Sequence, residues 1–566
     1  MNRLLFLFLC LNFIPTSYLK SQNKYPQNYF RSPVDFRIVL SGTFGELRPD
    51  HFHTGIDIKT QGKEGAPIYA VADAYVSRIK ISPYGYGNSI YLTHPNGYVS
   101  VYAHLSKINS KLAAYVKEHQ YKRKSFDVDL YLDKDQFVFK KGEVIAFSGN
   151  SGGSGGPHLH FEIRDEKTQE PINPLLFGFE VKDFIRPVIQ SLRVYPLGKT
   201  PFNLEIGGWG EKHYLKAGDT LALPKAFYLG ISTLDKQNDS ENSNGVFEVE
   251  LIQDSVKIFG NRQEKLDFAK GKFINTFIDY EYYSKTKKRY QRTYISPYNQ
   301  LEIYTGVKNK GLINLKENKV SEFVYSVKDA NGNVSKLKFY AKSGTSNLIK
   351  QFPLDTLKKA VLVPGREHFF VNDNIKITIP ANALYDSLNF HFQVLPKLKN
   401  SYTEVYQVHN PDVPLHNSIE LKIKSDNIPL NLKDKLVIAS ISGNAYNAYS
   451  TEWNGEWASS FISGFGNYTI VADTIKPEIT FMGTSTNGKL DTNSIIRIKI
   501  EDKLSGIKSY NGYFNNEWVV FEYDAKNNMV YHYIEPQRLK TENILRFEVI
   551  DKVGNKNSIE RKLNRI

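Results

Sequence analysis

The stretch Gly156-Pro157-His158-Leu159-His160-Phe161-Glu162-Ile163 alternates polar and apolar side chains. This period of two predicts a β-strand, because successive side chains of a strand point to opposite faces of a sheet. His158 and His160 are therefore expected on one face, with the apolar residues turned towards a core. Two imidazoles on one face suit a metal, or a metal and a general base. An isolated pair of this kind is more often two surface histidines.

A second pair of possible ligands lies upstream, in His53-Thr54-Gly55-Ile56-Asp57. In an extended chain, a spacing of four returns His53 and Asp57 to one face, and Gly55 permits a close approach or a bulge. With His160, they would form a set of two imidazoles and one carboxylate. Three protein ligands and one open position are the pattern of catalytic zinc. Asp57 could instead cap a turn.

His104, in Tyr102-Ala103-His104-Leu105, is expected at the end of a strand. With His158, it could hold or deprotonate water at the metal and stabilise a charged intermediate. Taken alone, His104 would more often be a strand-end histidine. Seven of the 13 histidines lie between positions 51 and 160, so any metal or acid–base chemistry is expected in that part of the chain.

The remaining polar residues near these positions have weaker signals. Glu162 shares the expected strand face of His160 and could orient that ligand or pair with a basic neighbour. His51 is expected at the surface or behind the ligands, His94 in a hairpin turn and His119 in solvent. Six further histidines have no partner at metal spacing: His213, His368, His391, His409, His416 and His532.

The glycine-rich stretch Gly149-Asn150-Ser151-Gly152-Gly153 fits the pattern of a nucleophile elbow, and so does the stretch around Ser154. An elbow needs a helix immediately after it. Here Pro157 and a predicted strand follow, which argues against a serine hydrolase. We expect a flexible loop that lets a substrate backbone approach the site.

These segments occur in the order found in a known family, and the chain resembles the lysostaphin-type (M23, LytM) zinc peptidases. The resemblance runs from about residue 44 to residue 174. It implies that His53, Asp57 and His160 bind Zn²⁺ and that His104 and His158 are catalytic. The matching segments are His53-x-x-x-Asp57 and residues 65–73, 86–88, 102–105, 149–152 and 156–162.

The resemblance also implies an activity. Members of the family are metalloendopeptidases that use metal-activated water to hydrolyse peptide crosslinks of bacterial peptidoglycan, so these crosslinks are the expected substrate. One alternative is a non-catalytic M23-like protein that binds the wall or activates another hydrolase. Another is an adhesion protein in which the C-terminal modules are the active part. Non-catalytic relatives typically lose ligands, whereas all five positions are present here.

Residues 106–140 form a longer connection than is usual for the family, with helical spacing over residues 106–121. This insertion could form one wall of the substrate-binding groove or limit access to it.

Beyond residue 185, two segments match loosely, residues 187–333 and 477–555. In each segment, an apolar strand runs into a turn, at Leu234-Asp235 in the first and at Glu501-Asp502 in the second. A later strand in each segment ends in an Asp that is followed by a Gly-Asn turn. The pattern predicts two copies of one β-sandwich module.

The predicted fold class is mainly β, and an aromatic content of 13% favours it. A small antiparallel-sheet metallopeptidase domain is followed by several β-sandwich (Ig-like) modules. The expected boundaries are a signal peptide at 1–21, an M23-type peptidase domain at 22–185, an Ig-like sandwich with insertions at 186–344, a β-rich module at 345–472 and a C-terminal Ig-like sandwich at 473–566.

The start of the chain predicts export. Arg3 precedes an apolar run over residues 4–15, which is typical of a signal peptide and too short to span a membrane. The single cysteine, Cys10, lies in that run, so a mature chain would have neither disulfides nor Cys-ligated zinc. The expected location is the periplasm or cell envelope, or outside the cell.

The net positive charge says less about the location and partners of the protein than the start of the chain does. The formal charge of +14 is scattered, which fits a solvated surface. No later segment is long and apolar enough to predict a transmembrane helix. Nucleic acid is not an expected partner of an exported chain. Envelope proteins could bind the C-terminal modules.

Overall fold

The computed structural model describes residues 24–345, 350, 360–425, 429–485 and 489–565. The expected signal peptide lies outside the described residues. The prediction of a mainly-β chain is confirmed, since the described chain forms a series of largely antiparallel sheets with few helices. None of the helices in these ranges has the length and apolar character needed to cross a membrane.

The first module, residues 24–181, contains one main antiparallel sheet and one small one. The main sheet has the strand order β1-β2-β11-β6-β5-β4-β8, with β12 beside β11 and β9 beside β4, and the small sheet has the order β3-β10-β7. Helix α1, Ser110–Arg123, lies between β7 and β8. Strands β1 to β12 are, in chain order, Leu40–Gly42, Ile56–Lys59, Pro67–Tyr69, Ala74–Ile81, Ser89–Thr93, Tyr98–Ala103, Lys107–Ile108, Val128–Tyr131, Val138–Phe139, Val144–Phe147, His158–Asp165 and Pro171–Ile172.

The predicted strand over residues 158–163 is confirmed as part of β11. Its apolar residues Leu159 and Phe161 are fully buried, in the same core as Ile68 and Ile145 of the small sheet. The alternation therefore orients β11: one face packs against the small sheet, and the other face carries His158 and His160.

The helix in the insertion begins later than predicted. The helical spacing suggested a start at residue 106, but Lys107–Ile108 pairs with β10 as strand β7. Asn109 then caps the helix, because its side chain accepts a hydrogen bond from the backbone N–H of Lys111 at 3.1 Å. Leu112 and Val116 are buried in the core of the first module.

The second module, residues 183–345, contains two packed sheets, of order β15-β14-β13-β17-β20, with β21 beside β17, and β16-β23-β22-β18-β19. Leu192, Phe259 and Phe323 lie in the core that the sheets share. Helices α2, Ile274–Phe277, and α3, Tyr280–Thr286, lie in an insertion after β19. Strands β13 to β23 are Val188–Pro196, Phe202–Gly207, Tyr214–Leu215, Thr220–Leu223, Ala226–Leu234, Glu248–Gln253, Val256–Arg262, Gln291–Arg292, Ile313–Asn314, Val320–Lys328 and Val334–Ser343.

The third module, between residues 360 and 472, has sheets of order β25-β26-β30-β34-β33 and β28-β29-β35-β31-β32, and the pair β24-β27. Its strands β24 to β35 are Ala360–Leu362, His368–Val371, Ile375–Ile379, Leu388–Phe390, Phe392–Leu395, Val405–Val408, Ile419–Lys424, Leu436–Ser442, Ala445–Ala448, Glu452–Asn454, Trp457–Ile462 and Gly466–Ala472.

The fourth module, between residues 473 and 565, has sheets of order β36-β38-β42-β41 and β37-β44-β43-β39-β40. Its strands β36 to β44 are Glu478–Thr484, Lys489–Leu490, Ile495–Glu501, Ile507–Phe514, Glu517–Val519, Glu522–Asp524, Met529–Tyr533, Glu542–Asp551 and Lys556–Arg565.

The second and fourth modules share a layout. In each, the first strand pairs with a strand that runs into an Asp-containing turn, β13 with β17 and β36 with β38. Each ends in an antiparallel hairpin, β22-β23 or β43-β44, whose last strand also pairs in parallel with a short strand, β16 or β37. This agreement is what two copies of one sandwich module would produce.

The modules pack against one another. Phe44 and Phe52 of the first module share a buried apolar cluster with Phe273 and Phe277 of the second and Tyr385 of the third. The predicted insertion contacts the fourth module: Lys117 of α1 forms an ion pair with Glu535 at 2.8 Å, and Tyr121 donates a hydrogen bond to the same carboxylate.

Candidate metal centre

Strand register brings together the residues that are far apart in sequence. Strand β11 lies between β2 and β6, and His160 is directly opposite Asp57 on one side and Ala103 on the other. His104 follows Ala103 immediately, and His53 lies just before β2. Asp57 is therefore a strand residue, not a turn cap.

The three predicted ligands converge on a point. Nε2 of His53 lies 3.0 Å from Oδ1 of Asp57 and 3.0 Å from Nδ1 of His160. The third side of this triangle, from Nδ1 of His160 to Oδ1 of Asp57, is 2.9 Å. Zinc bonds of about 2.0–2.2 Å in a tetrahedral arrangement place neighbouring ligand atoms about 3.3 Å apart. The triangle therefore has the size of one face of a zinc coordination shell.

Hydrogen bonds on the far side of each ring determine which atoms face this point. Nδ1 of His53 donates to the carbonyl oxygen of Thr43 at 2.8 Å, and Nε2 of His160 donates to Glu162 at 2.9 Å. The opposite ring nitrogens then carry lone pairs that face each other and the carboxylate of Asp57. All three ligand residues are buried. A cation at the centre of the triangle would satisfy these lone pairs, so the residues present fit a zinc ion.

The electrostatics of the pocket also favour positive charge. Burial on its own lowers the pKa of His160, but the adjacent carboxylates of Asp57 and Glu162 outweigh it and raise the pKa to about 9. Burial acts to raise the pKa of Asp57, yet the adjacent imidazoles of His53, His158 and His160 hold that pKa well below its usual range. The second oxygen of Asp57 is bound by Arg48 at 3.1 Å, which leaves Oδ1 for an ion.

Glu162 has both of the roles that the sequence left open. The carboxylate is fully buried; it accepts from His160 and also from Arg164 Nε at 2.6 Å. Thr54 and Tyr86 donate hydroxyl hydrogen bonds to it at 2.6 and 2.5 Å. Sequence reasoning missed Arg164, although the same period of two places it on the face of His160 and Glu162.

His104 and His158 line the open side of the triangle. Nδ1 of His158 donates to the carbonyl oxygen of Gly156 at 2.8 Å, and its Nε2 lies 3.4 Å from Oδ1 of Asp57. Nδ1 of His104 donates to the carbonyl oxygen of Ser151 at 2.9 Å. The centres of the two rings are 4.8 Å apart. In both rings Nε2 is therefore left as an acceptor on the site side.

The environment keeps His104 neutral. Burial, reinforced by the imidazoles of His160 and His158, lowers the pKa of His104 to about 3. Its backbone has a φ of 59°, in the left-handed region that residues other than glycine and asparagine rarely adopt. Strained backbone of this kind is common at functional sites, where the surrounding structure must hold it in place.

The glycine-rich loop holds these two histidines through its carbonyl groups. A Cβ at Gly149 would lie 2.3 Å from the backbone nitrogen of Ser106, and one at Gly152 would lie 2.4 Å from that of Gly87. Only glycine fits at these contacts. Close packing thus explains Gly149 and Gly152, two of the glycines that we expected to give flexibility.

The other histidines of this region lie elsewhere. His51 is exposed and pairs with Asp50 at 2.6 Å on the rim of the site. His94 is buried and bonds to the carbonyl of Asp73 and to Ser100, away from the site. His119 is half-buried on α1 rather than fully solvated. Among the described residues, none of the six later histidines belongs to a group of three metal-type ligands.

The site opens into a groove of about 620 Å³ between the first and second modules. The five site residues line one side, while Phe268, Gly271 and Lys272 of the second module line the other. Lys526 of the fourth module reaches the glycine-rich loop, where Nζ contacts the carbonyl oxygens of Asn150 and, at 3.3 Å, Ser154. Later modules therefore contribute to the surroundings of the site.

Two segments of the chain match models of known protein families. The profile of Peptidase family M23 matches residues 51–121, and that of a Zu5-like domain matches residues 359–473. The first match contains three of the five predicted site residues, His53, Asp57 and His104.

Curated relatives match the same part of the chain. The DD-carboxypeptidase/endopeptidase Mpg of Neisseria meningitidis is 34% identical over 123 residues, which are 22% of this chain and 22% of that protein. The peptidoglycan DD-endopeptidase ShyB of Vibrio cholerae is 31% identical over 156 residues, 26% of this chain and 30% of that protein. The chain thus spans less than a third of the length of either relative.

Among solved structures, the catalytic domain of the prophage-encoded M23 protein EnpA from Enterococcus faecalis has 27% sequence identity. The match covers 26% of this chain and 94% of that one, with a TM-score of 0.19, which is too low to carry a structural argument. The sequence matches, and not the structural one, therefore carry the comparison. They support a first module of the peptidase M23 family.

Proposed function

We propose that the first module is a zinc metalloendopeptidase that hydrolyses peptide crosslinks of bacterial peptidoglycan. The observation that carries the proposal is the convergence of three ligand atoms and two further imidazoles at one side of an open groove. The substrate class is supported by the names of Mpg and ShyB, which describe a carboxypeptidase/endopeptidase and a peptidoglycan endopeptidase.

His53, Asp57 and His160 would hold the zinc ion. A bound zinc would act as a Lewis acid on the scissile carbonyl and lower the pKa of water at its open position. Glu162 fixes the His160 ring with Nδ1 inward, and the carbonyl of Thr43 fixes His53 with Nε2 inward. The ligand set is thus oriented before an ion arrives, which lowers the reorganisation needed for binding.

His104 and His158 would handle protons. Each is held by a carbonyl at Nδ1, so each presents Nε2 to the groove as an acceptor. A neutral imidazole there can accept a proton from the attacking water and return it to the leaving amine, a contribution of about 10²–10⁴ in rate. The two rings flank the ligands, so both can reach atoms of a peptide bound in the groove.

We also propose the domain limits and location expected from the sequence. The chain would be exported after cleavage near residue 21 and act in the periplasm, in the envelope or outside the cell. Domain boundaries near residues 185, 344 and 472 would separate the peptidase from the β modules, which could bind envelope partners. The convergence of all five site residues disfavours a non-catalytic role for the first module.

The test uses the mature chain, residues 22–566, because the first module shares a buried apolar cluster with its neighbours. Purified peptidoglycan is incubated with the zinc-loaded protein, with and without a chelator, and new termini are identified by mass spectrometry. We expect new peptide termini that disappear with chelator and with His104→Ala. His119→Ala, a histidine on α1 outside the site, is the matched control. Equal digestion by the His104→Ala variant would contradict the proposal.

A further inference from the structure

Three buried aspartates meet where the first module joins the second. Asp183 precedes β13, Asp235 follows β17 and Asp329 follows β22, and each offers a carboxylate oxygen within 4.8 Å of the others. Their exposed fractions are 6%, 3% and 2%. This cluster shares no residue with the candidate zinc centre, and the proposed peptidase activity does not use it.

Among the described residues, no Lys, Arg or His side chain forms an ion pair with any of the three carboxylates. Asp329 accepts from the backbone and side-chain nitrogens of Asn333 at 2.9 and 2.7 Å, and Asp183 accepts from the backbone of Ile185 at 3.0 Å. Oδ1 of Asp235 has no hydrogen-bond partner in the described chain. Buried carboxylates are normally paired with a cation or a metal.

Beside the cluster lies a buried side-chain amide for which the described part of the chain offers no hydrogen-bond partner. Asn244 is 4% exposed, yet neither its Oδ1 nor its Nδ2 has a hydrogen-bond partner among the described residues. Its backbone exchanges two hydrogen bonds of 2.9 Å with that of Asp235. Residues paired in this way project to the same side of the bridge. Asn244 and the three aspartates line one cavity of about 20 Å³, which is enough for one ion or water molecule.

The carboxylates also destabilise one another. Burial, with repulsion from Asp329 and Asp183, raises the pKa of Asp235 to about 9. Burial likewise raises the pKa of Asp183 to about 6 and moves that of Asp329 upward. A positive charge among the three would remove this repulsion.

The fourth module repeats the arrangement with Asp473, Asp502 and Asp551, again within 4.8 Å. Asp473 precedes β36, Asp502 follows β38 and Asp551 ends β43, so the positions match those of the second module. Asn555 bonds to Asp551 through its backbone and side-chain nitrogens, both at 2.7 Å, as Asn333 does to Asp329. A cluster that recurs at equivalent positions belongs to the layout of the module.

We propose that Asp183, Asp235 and Asp329, with the amide oxygen of Asn244, bind one Ca²⁺ ion at the junction of the first and second modules. All of these ligands are oxygens, which hard cations prefer and zinc does not. Ca²⁺ accepts six to eight oxygens, carboxylate and amide, in flexible geometry at about 2.3–2.6 Å. Mg²⁺ demands a stricter octahedron and usually keeps several waters, so it suits an enclosed protein cage less well.

The site would connect to the peptidase module. Asn244 is followed by Gly245, whose backbone N–H and C=O both bond to the hydroxyl of Thr43, at 3.0 and 3.2 Å. The carbonyl of Thr43 is the group that orients His53. An ion bound by Asp235 and Asn244 would therefore hold the segment that positions one proposed zinc ligand.

The binding test is calorimetric titration of the mature chain with Ca²⁺, after removal of divalent ions and return of one equivalent of zinc. Asp235→Asn is compared with Asp254→Asn, a matched change at an exposed turn of the same module. We expect Asp235→Asn to bind one equivalent of Ca²⁺ less than wild type and Asp254→Asn to bind as wild type does. We expect Mg²⁺ at the same concentration to displace little Ca²⁺. Unchanged Ca²⁺ binding by Asp235→Asn, no binding by wild type, or equal affinity for Mg²⁺ would overturn the proposal.

Thermal unfolding separates a ligand from a residue needed only for folding. Without Ca²⁺, Asp235→Asn removes one of three repelling carboxylates and should unfold at the same temperature as wild type or higher. With Ca²⁺ the order of the unfolding temperatures should reverse, because binding of the ion stabilises wild type more than the variant. A lower unfolding temperature for the variant by the same amount in both buffers would indicate a purely structural role and overturn the proposal.

Discussion

Among the clusters of three ligand-type side chains in the described residues, the one in the first module and the one in the second module differ in donor chemistry and in access. His53, Asp57 and His160 offer two nitrogens and one oxygen beside a groove of about 620 Å³. Asp183, Asp235 and Asp329 offer only oxygens around a cavity of about 20 Å³. Nitrogen donors with an open side suit a reactive zinc ion, whereas enclosed oxygens suit a structural hard cation.

The two clusters also differ in how their surroundings fix the donors. At the first, the carbonyl of Thr43 and the carboxylate of Glu162 turn the lone pairs of His53 and His160 inward. At the second, Oδ1 of Asp235 and the amide of Asn244 have no partner among the described residues. Both clusters leave donors facing inward, and only the first adds two further imidazoles. The two proposals therefore differ in kind: proton transfer is proposed beside the first cluster, and ion binding alone at the second.

The largest expected effect comes from removing a donor of the first cluster. His160→Ala should lose stoichiometric zinc and reduce peptidoglycan hydrolysis to background, because two ligands cannot hold the ion in a catalytic geometry. The binding of Ca²⁺ at the aspartate cluster should be unchanged. Elemental analysis for zinc and the mass-spectrometric wall assay measure both effects. If His160→Ala kept its zinc and its activity, the first cluster would not be the zinc site, and the proposed distinction between the two clusters would fail.

A smaller effect is expected when the ligands are kept and a neighbouring imidazole is removed. His104→Ala should retain one zinc per chain and lower the turnover number by about 10²–10⁴, the usual contribution of a general acid or base. Turnover and zinc content are measured on the same preparation. Loss of zinc from this variant would make His104 a ligand and contradict the division of roles.

Glu162→Gln tests the support behind the ligands. The substitution keeps the shape of the side chain. It leaves the buried Arg164 without its charged partner and weakens the hydrogen bond to His160. We expect zinc affinity to fall by about 10–100-fold, the range typical for residues that orient a ligand. Competition with a zinc-sensitive dye gives the affinity, and Glu166→Gln, at an exposed position of the same segment, is the control. Equal affinities in the two variants would show that Glu162 only pairs with Arg164.

The smallest effect should come from the far side of the groove. Phe268 of the second module lines it and is 48% exposed. Phe268→Ala should leave zinc content unchanged and raise KM for wall fragments, with a loss of about tenfold or less in kcat/KM, equivalent to about 1.4 kcal/mol or less. A wild-type KM would show that the second module does not contact the substrate.

Much of the site could be predicted from the alternation of β11. That alternation places His158 and His160 on one face, and it also predicts the position of Arg164. The sequence alone could not show that β2 pairs with β11 so that Asp57 lies opposite His160, because register depends on contacts between distant segments. Nor could it show that His94 is buried beside Ser100, since its turn sequence resembles that of any surface hairpin.

The aspartate cluster shows the same limit. The sequence revealed the acidic turns at Asp235 and Asp329 and their counterparts in the fourth module. It gave no sign that Asp183 joins them, because Asp183 lies in a connection without periodic pattern. Which side chains lie beside Asn244 is also decided by packing. Local pattern therefore identified strands and turns, and tertiary contacts decided which of their side chains meet.

Anomalous diffraction at the zinc absorption edge, from crystals grown with one equivalent of zinc, tests the central claim most directly. The account predicts a single strong peak about 2.0–2.2 Å from Nε2 of His53, Oδ1 of Asp57 and Nδ1 of His160. It predicts no zinc peak among Asp183, Asp235 and Asp329. A zinc peak at the aspartates, or none between the two histidines and Asp57, would contradict it.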